Sequence, residues 1–145
     1  MANLLKSRVA QTVLSAEFTF TIGDTMVNAS GVSDGFATAA AHAFDIAPLP
    51  YGAVVCGGDV VTETAFTTSA NYNVKVGDAT SDVRYLGSTD RLSAGRTALV
   101  PTGFVSTGED IRLTVTPVTS TAGAGKMTVR IQYTMKNRAN EVTGN

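Results

Sequence analysis

Lys126-Met127-Thr128-Val129-Arg130-Ile131-Gln132-Tyr133-Thr134-Met135-Lys136 alternates polar and apolar residues without exception. A period of two places Met127, Val129, Ile131, Tyr133 and Met135 on one side of a pleated chain and the polar residues on the other, the pattern of a half-buried antiparallel strand. The same alternation recurs upstream in Ile111-Arg112-Leu113-Thr114-Val115-Thr116, in Tyr72-Asn73-Val74-Lys75-Val76 and in Glu17-Phe18-Thr19-Phe20-Thr21-Ile22. Gly23-Asp24, Gly57-Gly58-Asp59, Gly77-Asp78 and Thr107-Gly108-Glu109-Asp110 punctuate these runs as turns or bulges. Short strands separated by turn signals, with no helix of α/β length, predict an all-β antiparallel β-sandwich or barrel.

Less regular segments fill the rest. Residues 1–16 carry Leu5, Val9 and Val13 four apart, a short helix or an extended arm. Phe36 to Phe44, with its alanine run around His42, fits either one helical turn or a small-residue strand. Leu99 to Val105 reads as a strand interrupted by Pro101 and Gly103. Residues 79–98 form the longest polar stretch and read as a binding or lid loop. Thr119 to Gly125 reads as a flexible hairpin connection. The expected organisation is an N-terminal arm or short helix over 1–16, one β-sandwich domain over 17–136 and a polar tail over 137–145.

The chain has 145 residues, enough for one core without staples. Charged residues make up 16 %, against about 25 % in an average soluble domain. Such a surface suits a chain partly covered by neighbours, and equally a Thr-rich sandwich. Eleven basic and twelve acidic residues leave a net charge of −1. The basic residues are scattered, without the stripe that a phosphate backbone demands, so no nucleic acid is expected as a partner. No run approaches the ~18 apolar residues of a membrane span. Cys56, the only cysteine, follows Val54-Val55 and reads as a buried small hydrophobe.

Catalysis finds little support. One histidine, His42, lies among alanines, and no Gly-x-Ser-x-Gly elbow, P-loop, zinc spacing or dinucleotide fingerprint is present. Gly77-Asp78-Ala79-Thr80-Ser81-Asp82 has too few oxygen ligands for a calcium loop and reads as a turn capped by aspartate. Asp82 with Arg84, or Asp90 with Arg91, would order the loop that follows. No catalytic, cofactor-binding or metal-binding residue is assigned, and no small-molecule substrate is expected.

Val61-Thr62-Glu63-Thr64-Ala65-Phe66, Tyr72 to Asp78, Asp82-Val83-Arg84-Tyr85-Leu86 and Ala94-Gly95-Arg96-Thr97 together resemble small β-sandwich structural proteins of tailed bacteriophages. Ile111 to Thr116 and Gly125 to Tyr133 continue the likeness. The resemblance implies a jelly-roll type of sandwich and a capsid decoration (cement) protein. Such a protein sits on the outer surface of the virion capsid, after synthesis in the host cytoplasm, and self-associates as a dimer or trimer. Its partner is the major capsid protein, whose neighbouring subunits it ties together. A tail or adaptor component fits the same motifs. A receptor- or carbohydrate-binding sandwich is a further alternative, although the chain has no Trp for a sugar platform.

A cement role would draw its contacts from termini, loops and sheet edges. The candidates are Leu4, Leu5, Arg8, Arg84, Tyr85, Arg91, Arg96 and Arg138. Arg and Tyr combine contact area with directed hydrogen bonds. Tyr85 and Leu86 have a second possible place, folded back on the core beneath the loop.

Overall fold

The computed structural model describes residues 13–67 and 69–135. The expectations for Leu4, Leu5, Arg8, Lys136 and Arg138, the helix-or-arm choice over 1–12 and the tail from 137 lie outside these residues. Ten strands follow in chain order: β1 (Leu14–Thr21), β2 (Thr25–Val27), β3 (Ser33–Gly35), β4 (His42–Ala47), β5 (Ala53–Thr64), β6 (Asn71–Gly77), β7 (Leu86–Asp90), β8 (Gly95–Ala98), β9 (Ile111–Val118) and β10 (Lys126–Met135). Two four-stranded antiparallel sheets have the orders β1-β10-β5-β8 and β4-β9-β6-β7, and β2 and β3 form a separate hairpin. Leu14, Ser15 and Ala16 belong to β1 and pair with Tyr133, Gln132 and Ile131, so the sheet takes residues that the sequence reading gave to the arm.

Alternation explains most of the core. Phe20, Met127, Val129, Ile131 and Val55 point inward from the first sheet, and Phe44, Tyr72, Val74, Val76, Leu113 and Val115 from the second, all nearly inaccessible. An aromatic chain crosses between the layers. The rings of Phe20 and Phe36 stack at 4.1 Å, Phe36 lies 4.3 Å from Phe44, and Phe66 stacks on Tyr72 at 3.7 Å. The buried Tyr72 hydroxyl donates to the Phe36 carbonyl at 2.8 Å, which satisfies the polar tip of an otherwise apolar ring.

β5 departs from simple alternation because it is bulged against β10. Gly57 faces Gln132 and Val55 faces Tyr133, leaving Cys56 as the extra residue. The bulge reverses the parity: Ala53 and Val55 are buried before it, Val60 and Thr62 after it. Cys56 is exposed, contrary to the buried residue that its neighbours suggested. Gly58 has φ +134°, and a Cβ there would meet the Arg130 carbonyl oxygen at 2.2 Å, so only glycine fits this approach of β5 to β10.

Other segments also correct the sequence reading. Residues 79–98 are not one loop: they contain β7, paired with β6, and β8, paired with β5. Leu99 to Val105 forms no strand and supplies one isolated bridge, Val54 with Val105. Of the two readings left open for Phe36 to Phe44, the strand holds from His42 onward. The 119–125 segment is not a hairpin connection, because β9 and β10 lie in different sheets.

Candidate interaction surface

Antiparallel pairing fixes which loops share an end of the sandwich. Leu14 pairs with Tyr133 and Met135 with Ala53, so the start of β1, the finish of β10 and the start of β5 lie together. Ala47 pairs with Ile111 and Gly77 with Arg112, which brings the loops 48–52, 78–85 and 99–110 to that same end. Backbone bonds knit these loops. Gly52 N–H donates to the Ser106 carbonyl at 2.8 Å, Ser106 N–H to that of Ala53 at 2.8 Å, and Val100 N–H to that of Tyr85 at 2.9 Å. We call this the terminal end.

The 78–85 loop is ordered by Asp78, whose side chain is 5 % exposed. Its Oδ1 accepts the Thr80 and Ser81 amides at 2.9 and 2.8 Å and the Thr80 hydroxyl at 2.7 Å, while Arg84 Nε donates to Oδ2. Burial pushes the carboxyl of Asp78 upward, but the hydrogen bonds from Arg84, Thr80 and the two amides prevail and hold it below the ordinary carboxylate range. The Asp78 partner in turn raises Arg84. The Arg84 guanidinium also lies over the Phe104 ring, 3.5 Å from its centroid, so it joins loop 78–85 to loop 99–110.

Around this polar joint the terminal end leaves apolar side chains in solvent. Tyr51 is 76 % exposed, Val100 63 %, Val105 54 % and Val83 45 %. The opposite end differs. There Ile22 N–H donates to the Gly125 carbonyl, Thr67 to Ala124, Gly123 to Thr67, Ala122 to Ala37 and Phe66 to Leu92, above the buried aromatic chain. Chain crossings close that end, while the terminal end carries four exposed apolar groups; Val27 and Val32 of the β2–β3 hairpin are exposed as well.

The outer face of the β1-β10-β5-β8 sheet is a self-paired ionic ladder. Arg130 Nε meets Glu17 at 3.2 Å and its second nitrogen lies 3.7 Å from Asp59; Arg96 meets Asp59 at 2.6 Å, and Lys126 meets Glu63 at 2.6 Å. Thr128 donates to Glu63 at 2.6 Å and lies 2.8 Å from the Thr19 hydroxyl. The hydrogen bond from Lys126, then that from Thr128, lowers Glu63. Lys126 and Arg130, the outward cations of β10, thus already have acidic partners within the chain.

The sequence candidates are dispersed. Arg84 is at the terminal end but spends its donors on Asp78 and Thr80. Tyr85 is 2 % exposed and Leu86 7 %, so both take their place on the core and Tyr85 offers no side-chain surface. The Tyr85 amide binds the Val76 carbonyl at 2.9 Å, which draws the residue inward. Arg91 lies at the opposite end, half-buried, with one nitrogen on Thr97 at 3.0 Å. Arg96 is on the ladder, with a side chain 61 % exposed. The expected loop pairs also change partners. Asp82 meets Lys75 at 3.0 Å, and Asp90 accepts the Tyr72 and Leu92 amides at 3.0 Å each. The sequence reading missed Tyr51, Val100 and Val105. Their signal was an apolar residue inside a Pro/Gly segment, as in Pro50-Tyr51-Gly52 and Val100-Pro101, where a strand interior is excluded.

Among the described residues no group of three His, Cys, Asp or Glu side chains could hold a metal ion, and no helix is long and apolar enough to cross a membrane.

No protein-family model matches the sequence, and no curated protein matches it. Solved structures do share the fold. A chain of the cyanophage Pam1 capsid asymmetric unit is 18 % identical, with 93 % of each chain covered and a TM-score of 0.61. A chain of the acidic stable capsid structure of Helicobacter pylori bacteriophage KHP30 is 18 % identical, with 87 % of this chain and 88 % of that one covered and a TM-score of 0.55. A chain of the capsid of Ralstonia phage GP4 is 12 % identical, with 94 % and 92 % covered and a TM-score of 0.57.

Proposed function

We propose that this chain is a non-enzymatic virion protein that decorates the outside of a tailed-phage capsid and stabilises it by bridging major capsid subunits. The observation that carries the reading is a whole-chain likeness of fold to chains from phage capsids, 93 % of both chains in one case. The strand order supports it. With the small β2–β3 hairpin set aside, the remaining eight strands fall into the sheets β1-β10-β5-β8 and β4-β9-β6-β7. The first strand pairs with the last, and the strands from the middle of the chain complete each sheet. We take this as a jelly roll, the double-sheet architecture common in capsid and lectin domains.

A decoration protein needs a stable body and a face that meets the shell. We assign that face to the terminal end. Tyr51, Val83, Val100 and Val105 supply exposed apolar area among the described residues, and Arg84 holds two of the loops in place. Large exposed apolar groups gathered at one end suit a protein contact. The segments carrying Leu4, Leu5, Arg8 and Arg138 join the body at this end, and they complete the proposed contact set. Arg96 is retained as a lesser, rim contact, because Asp59 already neutralises it.

Binding to expanded, undecorated heads of a cognate phage tests the proposal. Cryo-electron microscopy should show ordered copies at symmetric positions between capsomers, with the terminal end against the shell. The triple variant Tyr51→Ser, Val100→Ser, Val105→Thr should keep its melting temperature and lose occupancy. Absence of density on heads at saturating protein would sink the decoration reading. Unchanged occupancy of the triple variant would move the contact elsewhere on the sandwich.

A further inference from the structure

The two sheets have four edge strands, and three are blunted. β8 has four residues and begins with Gly95 and Arg96. β7 has five residues and a register shift against β6. β4 has a shift between Asp45 and Ala47, and its Ala43 carbonyl accepts the Ala29 amide from the segment between β2 and β3. Short length, bulges and coverage are the usual protections of a sheet edge. Among the described residues β1 shows none of them. It runs eight residues, pairs with β10 without a register shift, and carries a single charge, Glu17. Among the described residues, no backbone hydrogen bond joins Leu14–Phe20 to anything but β10. An open groove of about 290 Å³ lies along this edge, lined by Phe18, Thr19, Phe20, Met26 and Phe36 with Asp24 and Thr25.

We propose that β1 is a homodimer seam: it pairs antiparallel with β1 of a second copy, with Phe18 opposite its own equivalent, and joins two four-stranded sheets into one of eight strands. Strand length and charge select that register, since centring on Thr19 would pair only residues 17–21 within β1. Residues facing each other across an antiparallel pair lie on the same face, so the sum of their numbers is even in a self-pair. Centring on Phe18 sets Glu17 against Thr19, Ala16 against Phe20 and Ser15 against Thr21. Centring one step earlier sets Glu17 against Glu17, a like-charge pair that opposes pairing. In the chosen register the two Phe18 rings meet over the groove floor of Met26 and Phe36. A net charge of −1 leaves little repulsion between copies. The seam refines the self-association included in the decoration reading, and it can be tested on the isolated chain without heads.

The test introduces a charge of either sign at Thr19, which faces Glu17 of the second copy twice by symmetry. Thr19→Glu and Thr19→Lys both remove the Thr19 hydroxyl from Thr128, so the loss within one copy is shared and the sign of the charge is the readout. Sedimentation equilibrium should show a wild-type dimer. Thr19→Glu should weaken it and Thr19→Lys tighten it, about fivefold each way, as expected for two cross-strand ion pairs. A wild-type monomer at ~100 µM overturns the seam, since it means association weaker than the micromolar range of specific complexes. A dimer indifferent to the sign of the charge at position 19 overturns it too.

Discussion

Replacing Asp78 by alanine should loosen the terminal end more than any other single change there. The carboxylate is 5 % exposed and receives two backbone amides, the Thr80 hydroxyl and the Arg84 guanidinium. Alanine leaves those donors without their acceptor, and Arg84, with a side chain 19 % exposed, keeps a charge that water reaches poorly. An unpaired group of this kind costs about 1–3 kcal/mol, and breaking a shielded ion pair costs somewhat more, so Asp78→Ala should cost about 3 kcal/mol. Asparagine keeps an oxygen for the amides and loses only the charge, so Asp78→Asn should cost about 1.5 kcal/mol. With a urea slope of about 1.5 kcal/mol/M, the unfolding midpoints fall by about 2 M and about 1 M. A double-mutant cycle with Arg84→Met should give a coupling of about 2 kcal/mol between the two sites. The pH dependence follows from the lowered pKa of Asp78. A carboxyl held lower in the folded state contributes stability above the unfolded value near pH 4, and that contribution disappears as pH falls through the folded value. The wild-type midpoint should therefore drop on acidification below about pH 4 by more than that of Asp78→Asn. An Asp78→Ala midpoint within about 0.3 M of wild type, or strict additivity with Arg84→Met, would refute the reasoning.

Gly125→Ala should be severely destabilising, because its Cβ would stand 2.1 Å from the Phe66 ring at a φ of +144°; a melting curve should fall by at least about 10 °C, a cost above 2 kcal/mol for a domain of this size. Burial pushes the Tyr72 hydroxyl upward, so its stabilising contribution is intact below about pH 10 and is lost as the unfolded phenol ionises above it; absorbance at the phenolate band should rise together with unfolding, whereas Tyr72→Phe should remove that share of the alkaline limb. Arg96→Ala should change stability by less than about 1 kcal/mol, because its side chain is 61 % exposed and its partner Asp59 has Arg130 nearby; a larger loss in a urea titration would mean that the ladder acts as a cooperative network.

Strand periodicity was legible where a strand alternates without interruption. β1, β6, β9 and β10 follow their sequence pattern closely, because the pleat is a local property and each apolar residue needs only to face one side. β5 was not, because the extra residue at Cys56 reverses the parity halfway along and breaks the run into two short patterns. β7 and β8 were not legible either. Leu86-Gly87-Ser88-Thr89-Asp90 and Gly95-Arg96-Thr97-Ala98 have weak strand propensity, and they are strands because β6 and β5 offer them unpaired edges. The candidate surface was only partly visible. Arg84, expected at an interface and beside Asp82, is instead engaged by Asp78 across a turn.

The sequence alone determined an all-β sandwich, through alternation, turn residues and the absence of long helical patterns. Those signals span five to ten residues and survive without knowledge of any distant partner. Tertiary structure decided what the Lys126–Met135 strand does. It lies inside its sheet, between β1 and β5, and its outward cations are neutralised by Glu17, Asp59 and Glu63 from those two neighbours. Glu17 and Arg130 are 113 residues apart in the chain. No local pattern encodes such a pairing, because it depends on how the two sheets sort eight strands. The same sorting gathers loops 48–52, 78–85 and 99–110 at one end and puts β1 at a sheet edge, so both proposed contact surfaces are products of topology.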